Sequence, residues 1–241
     1  MKQFGIFILG IVLTSQCFAQ TATVYTPRIK TTFQISESGD TSDLTEYFYD
    51  TQKRCTKVIM HDSYFGYTEK ITYPSATSVV SEIIYSRDNQ TIKKIYTLNA
   101  RGQAISYLQV EKADTIRDRY LYNAAGFSME LADAGWMNAT DAELKNGNFN
   151  LSSKLIVSNG NVTKNARDYK YTYYSDKKNT IGNKNFGIAY LGNDNKNPVK
   201  TETVPVMDTD ITYTRSYLFD AKGRIIRQKQ NETITHYIYT D

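Results

Sequence analysis

The residues able to do chemistry are few. His61 and His236 are the two histidines among 241 residues, and 175 positions separate them. A histidine base must sit within hydrogen-bond reach of the proton it takes. Each of these instead falls at the end of an alternating, strand-like run, beside aromatics or an acid. The chain has no G-x-S-x-G elbow, so a Ser–His–Asp triad would have to be assembled across the fold. Cys55 is the one cysteine beyond Cys17, which excludes a disulfide within the rest of the chain and is too few thiols for a zinc or iron–sulfur cage. It reads as a small strand residue. Asp208-Thr209-Asp210 would place two carboxylates on one face of a strand, where an ion such as calcium could bind. "GNDNKN", Gly192 to Asn197, is a second oxygen-rich stretch. Neither continues into a calcium loop closed by Glu, so both read as solvated turns. Twenty-five acids single out no glycosidase pair. No catalytic residue, metal or cofactor is expected, and the protein is expected not to be an enzyme.

Tyrosine is the positive feature. There are 20 tyrosines against 10 phenylalanines and one tryptophan. Tyr169, Tyr171, Tyr173 and Tyr174 crowd into six residues, and Tyr213, Tyr217, Tyr237 and Tyr239 lie near the end of the chain. Half-wet tyrosines stack on sugar rings or anchor protein contacts. Tyr171, Tyr173, Tyr174 and Tyr217 are the candidate ligand-binding residues on that basis. The competing reading is cross-strand aromatic pairing that stabilises the sheet itself.

Positioning such residues requires strands, and one phrase recurs where strands must turn. "YLFDAKGR" from Tyr217, "YLYNAAGF" from Tyr120, "YTLNARGQ" from Tyr96 and "YFYDTQKR" from Tyr47 share Tyr, an aromatic or Leu two on, then Asp or Asn, and Gly three further along. Asp or Asn opens a turn by bonding the backbone two residues on. Gly closes a bulged hairpin with positive φ. Lys53 stands where the first copy should have Gly. The tyrosines start at 47, 96, 120 and 217, intervals of 49, 24 and 97 residues, close to two, one and four units of about 24. Periods of that size mark repeat architectures. Degenerate copies from Tyr171, Tyr190 and Ile71 fill the gaps. Hairpins drawing on a small residue menu would give the same phrase without duplication.

Period-two alternation predicts strands over 29–35, 44–49, 55–60, 67–73, 78–86, 91–98, 103–110, 116–122 and 127–131. Further ones fall at 153–157, 168–174, 186–190, 198–204, 211–219, 224–230 and 233–239. Short turns between neighbours imply an antiparallel meander. Residues 133–150 break the rhythm. Thr140 and Glu143 have capping-box spacing and Asn146-Gly147 is a stop, which predicts one short helix near 139–146 and a possible seam there. The expected fold class is all-β: an antiparallel meander of β-hairpin repeats forming long curved sheets. Aromatics on both faces of "KYTYYSD" and "RSYLFD" speak against a barrel or sandwich, though the pattern leaves both open.

The turn phrase resembles the YD-repeat hairpins of RHS-type secreted proteins, with "FDAKGRIIRQKQ", Phe219 to Gln230, the closest match. The stretch "YYSDKKNTIGNKNFGIAYLGNDNKNPVKTE" also resembles uncharacterised exported β-proteins of Gram-negative bacteria, a group of lipoprotein type with a YD-like part. The resemblance covers about a third of the chain. It implies fold style and export and carries no catalytic residue across.

The N-terminus agrees with export. Lys2, an apolar run from Phe4 to Leu13 and "SQCFA" have the order of a secretory signal peptide over 1–19. That run is too short for the roughly 20 residues of a membrane-spanning helix, and no second one approaches it. The alternative is a lipid anchor at Cys17, against which Thr14 and Gln16 stand at lipobox positions that want Leu and a small residue. Residues 20–241 are read as a single all-β repeat domain, not membrane-spanning. Scattered cations, 28 against 25 acids once Lys2 is removed, form no arm for nucleic acid. The function expected is a non-enzymatic binding or scaffolding module of the periplasm or cell surface, its partner an envelope protein or glycan. A carbohydrate-binding module and an envelope hydrolase are the alternatives.

Overall fold

The computed structural model describes residues 26–240, apart from 37–38, 63, 113, 123–125, 132–155, 166–167 and 208. The expected helix at 139–146, the seam at 133–150 and the leader over 1–19 lie outside the described residues.

Sixteen strands form one antiparallel sheet. They are β1 Ile29–Ile35, β2 Thr41–Tyr49, β3 Cys55–His61, β4 Tyr67–Ser75, β5 Ser78–Tyr85, β6 Thr91–Leu98, β7 Ala104–Glu111 and β8 Asp114–Tyr122. Then follow β9 Ser128–Leu131, β10 Ile156–Ser158, β11 Asn161–Lys164, β12 Lys170–Tyr173, β13 Val199–Val206, β14 Thr209–Phe219, β15 Ile225–Gln230 and β16 Thr233–Tyr239. Each strand pairs with its sequence neighbour, and β16 returns to pair with β1, so the sheet runs from β10 through β16 and β1 to β9. The expected all-β meander is what forms. Among the described residues no ladder joins β9 to β10, yet these two edges meet through side chains: buried Phe127, just before β9, packs against Val157 of β10 and Val162 of β11. The sheet is therefore curled until its edges touch.

Alternation fixes which face turns inward. Thr45, Val58, Ile71, Val79, Ser81 and Asp118 are buried, while their strand neighbours Lys57, Lys70, Thr72, Arg117 and Arg119 are exposed. Contrary to the expectation of aromatics on both faces, the tyrosines gather inside. Tyr171 and Tyr213 share a face with Glu202, which pairs with both, and Tyr217 lies two residues along from Arg215 on that same face. Leu218 alone of "RSYLFD" points out among apolar residues, at 46% exposure. A register slip of one residue would exchange the two faces, so the inner tyrosines also specify pairing.

The recurring phrase forms the expected hairpins. In the Asp220–Arg224 turn, Asp220 Oδ1 accepts from the N–H groups of Lys222 (2.9 Å) and Arg224 (2.8 Å), and Gly223 takes φ +75°. Asn99 makes the same bonds to Arg101 and Gln103, with Gly102 at φ +74°. Lys53 adopts the left-handed conformation its position demands, at φ +63°. Asn165–Tyr169 is a copy that the sequence template misses: Asn165 plays the Asp role and Asp168, at φ +63°, replaces Gly.

Between Tyr120 and Tyr217 the described residues supply strands β8 to β14 and the strandless connection 174–198, while residues 132–155 lie outside them. Residues 186–190 form no strand. Phe186, Ile188 and Tyr190 imitate strand alternation, but Gly187 at φ +72° turns the chain and a 3-10 turn follows at Ala189–Leu191. Strand β11 is not legible in the sequence, because its four residues carry no clear alternation.

Candidate functional site

The long connection between β12 and β13 decides what the interior can do. Starting from Tyr174, whose hydroxyl donates to Arg215 O at 3.0 Å, it visits the sheet in strand order. Thr180 receives the N–H of Ile225 on β15 at 2.8 Å and meets the Tyr239 hydroxyl of β16 at 3.0 Å. Asn185 donates to Pro27 O at 2.9 Å and accepts the Ile29 N–H of β1 at 3.0 Å through its carbonyl. Phe186 packs on Tyr47 of β2, and Gly187 O accepts the Cys55 N–H of β3 at 3.0 Å. Tyr190 inserts between Tyr73 of β4 and Tyr96 of β6. Asn193 N–H then donates to Gly126 O beside β9, and Lys196 N–H to Gly160 O between β10 and β11, both at 2.9 Å. Asn197 and Asn161 exchange two hydrogen bonds of 2.9 Å, and the lap ends where it began, with Tyr174 N–H on Pro198 O. One loop thus completes a circuit of the sheet end and crosses the gap between its edges.

That circuit is a floor. Cys55, Val58, Ile71, Val79, Tyr96, Ala104 and Tyr107 pack with Tyr190 into the core just inside it. Burial pushes the Cys55 thiol up to about 11 and the Tyr190 hydroxyl well above its ordinary value, so neither ionises near neutrality. Cys55 is a packing residue, as its sequence context suggested.

Above the floor the inner wall carries polar groups that are already paired. Ser81 donates to Glu69 at 2.5 Å and Tyr107 to Asp118 at 2.5 Å. Arg215 bridges Glu202 at 2.6 Å and Gln230 at 2.8 Å. Gln90 donates to Glu111. Such pairing keeps charge tolerable on a half-buried surface.

The four candidate tyrosines are brought together along β12 and β14. Tyr217 donates to Val199 O at 2.8 Å, Tyr173 to Val162 O, and Tyr174 to Arg215 O, while Tyr171 accepts from Asn165 at 3.0 Å. Tyr174 and Tyr217 meet edge to face at 5.8 Å. Burial raises Tyr171 and Tyr217 to about 12. Their hydroxyls brace the wall, and the Tyr174 and Tyr217 rings also meet Lys200 and Phe219. Sequence reasoning missed Tyr67 and Tyr85. Together with Tyr213, one of the late tyrosines, they face inward, and among the described residues the three hydroxyls make no protein hydrogen bond. The signal was legible in "YTEKITY", where Tyr67, Glu69, Ile71 and Tyr73 share one strand face.

The remaining candidates fall elsewhere. His61 pairs with Glu46 at 2.9 Å on the outer face, and His236 stacks on Phe33 at 4.9 Å, also outside. Neither faces the interior. Asp210 meets Lys170 at 3.8 Å, and Asp208 is outside the described residues. Among the described residues no group of three His, Cys, Asp or Glu side chains could hold a metal. No helix among them is long and apolar enough to cross a membrane.

No family model and no curated protein matches the chain, so the resemblance to YD-repeat proteins gains no support from either. Among solved structures the fold is similar to a porin-like protein from Bacteroides uniformis, with a TM-score of 0.57 and 14% identity over 87% of this chain and 96% of that one. At that identity the likeness concerns the fold, a curled antiparallel sheet.

Proposed function

We propose that this chain is an exported, non-enzymatic binding or scaffolding module of the cell envelope, and that its ligand enters the tyrosine-lined interior from the end opposite the 174–198 floor. The floor circuit is the observation that carries the reading: a sheet sealed at one end by backbone hydrogen bonds makes a cup. The porin-like neighbour raises a channel as the rival. Two features weigh against it. A pore needs both ends open, and a membrane barrel needs an outward apolar band about 25 Å tall. Here Lys57 faces Lys70 on the outer face, Glu82 pairs with Lys93, and Arg227 and Lys229 lie exposed on β15. Each cation at mid-bilayer would cost about 2–4 kcal/mol.

A glycan is the ligand class favoured by the chemistry of the wall, because tyrosine rings with neighbouring amides and carboxylates suit sugar faces and hydroxyls. The test is a glycan array probed with the mature protein, followed by titration of any hit against Tyr67→Ala and Tyr213→Ala. Binding lost in both variants, with no conductance in a planar bilayer, supports the cup. Ion conductance by the wild type would overturn it.

A further inference from the structure

The floor has an outer side, and that side holds a cleft of about 760 Å³, within the size range of small-molecule sites. Its walls are the two limbs of the circuit, residues 175–180 and 193–197, closed by Thr26, Pro27, Phe127 and Gly160. Four lysines line it: Lys177, Lys178, Lys184 and Lys196. The two acids present are already committed. Asp176 pairs with Lys177 at 3.2 Å. Asp194 is held by the backbone N–H groups of Asn183 and Lys184. Among the described residues Lys178, Lys184 and Lys196 make no ion pair, although Lys184 lies in the field of Asp194. The asparagines of the cleft are largely spent on building it: Asn179 bonds Asn195 O, and Asn197 bonds the carbonyls of Ser175 and Lys177. A rigid frame thus presents uncompensated cations around a concavity.

We infer that this cleft binds an acidic oligosaccharide, with the carboxylates of successive sugar residues on lysines of the two limbs. A single phosphate would fill a small part of the volume and reach one or two of the lysines. A ligand with anionic groups spaced along a chain reaches both limbs. A flat anionic membrane matches the charge but not the concavity.

The site is separate from the interior, on the opposite side of the floor, so the two readings fail independently. The experiment is calorimetric titration of the mature chain with tetragalacturonate, with a neutral tetrasaccharide and with phosphatidylglycerol vesicles. Tetragalacturonate should bind, more weakly as salt rises, and the neutral sugar should not. The triple variant Lys178→Gln, Lys184→Gln, Lys196→Gln should lose at least about tenfold in affinity. The corresponding Lys→Arg set should retain binding, which guards against damage to the fold. Lys57→Gln with Lys70→Gln, on the outer sheet face, should change nothing, and neither should Tyr67→Ala or Tyr213→Ala. No binding of tetragalacturonate overturns the proposal. So does an equal loss in the sheet-face control, which would mean diffuse attraction, or binding of vesicles alone, which would mean a charged surface in place of a cleft.

Discussion

Asp220 and Arg224 form a closed unit within five residues. The carboxylate accepts two backbone N–H groups through one oxygen and the Arg224 Nε, at 2.6 Å, through the other. Asp50 and Arg54 repeat it, with 2.9 Å from the Arg54 N–H and 2.8 Å from its Nε. Burial tends to raise both carboxyls, but the N–H groups and the guanidinium outweigh it and hold them below the usual carboxylate range. A depressed folded pKa contributes stability above the unfolded value near 3.9, and that contribution is lost as pH falls through the folded value. Asn99 shows that Asn supports the same turn. The double variant Asp50→Asn, Asp220→Asn should therefore fold, be less stable than wild type at pH 5 to 7, and converge with it as pH drops below about 4. Urea melts across that range check it; a gap independent of pH would contradict the assignment. Lys53 is a position where the chain accepts strain. Lys53→Gly should stabilise by about 0.5–1 kcal/mol, whereas Gly223→Ala, with open space around the added carbon, should cost about 1 kcal/mol from conformation alone.

At the scale of elements, the floor is held at points that can be broken singly. Thr180 is buried and satisfies the Ile225 N–H and the Tyr239 hydroxyl. Thr180→Val keeps the shape and orphans a buried N–H, so it should cost about 1–3 kcal/mol, with Thr180→Ser much milder. Gly187 lies so close to β3 that a Cβ would sit 2.7 Å from Cys55 N and 2.8 Å from the Tyr49 ring, at a φ of +72°. Gly187→Ala should cost about 3 kcal/mol or more, read as a lowered thermal midpoint. The same two residues explain why the floor was illegible. The hairpins announce themselves through local chemistry, Asp or Asn followed by Gly, and were read correctly down to the left-handed Lys53. The floor is irregular backbone whose partners, Ile225, Ile29, Cys55, Gly126 and Gly160, are scattered over the chain. "GNDNKN" looked like a solvated turn because nothing local reveals that its asparagines bond β11.

For the whole molecule, antiparallel strands joined by short turns dictated the meander, and that much was legible. The curl was not, because it depends on β16 finding β1 and on Phe127 finding Val157 and Val162 across the remaining gap. The tyrosines stand out in the sequence by number, but which face they take follows from register, and register follows from the buried row of Val58, Ile71 and Val79. A single loop seals one end of a sheet curled into a ring. Four amides report on it from separate arcs: Ile29 to Asn185 O, Cys55 to Gly187 O, Asn193 to Gly126 O and Lys196 to Gly160 O. Native-state hydrogen exchange of these amides is the most direct measurement. If the circuit is closed, all four are protected and open together, with one shared opening free energy. If Ile29 and Cys55 are protected while Asn193 and Lys196 exchange like a free loop, the circuit stops short of the sheet's edges and the cup has no floor.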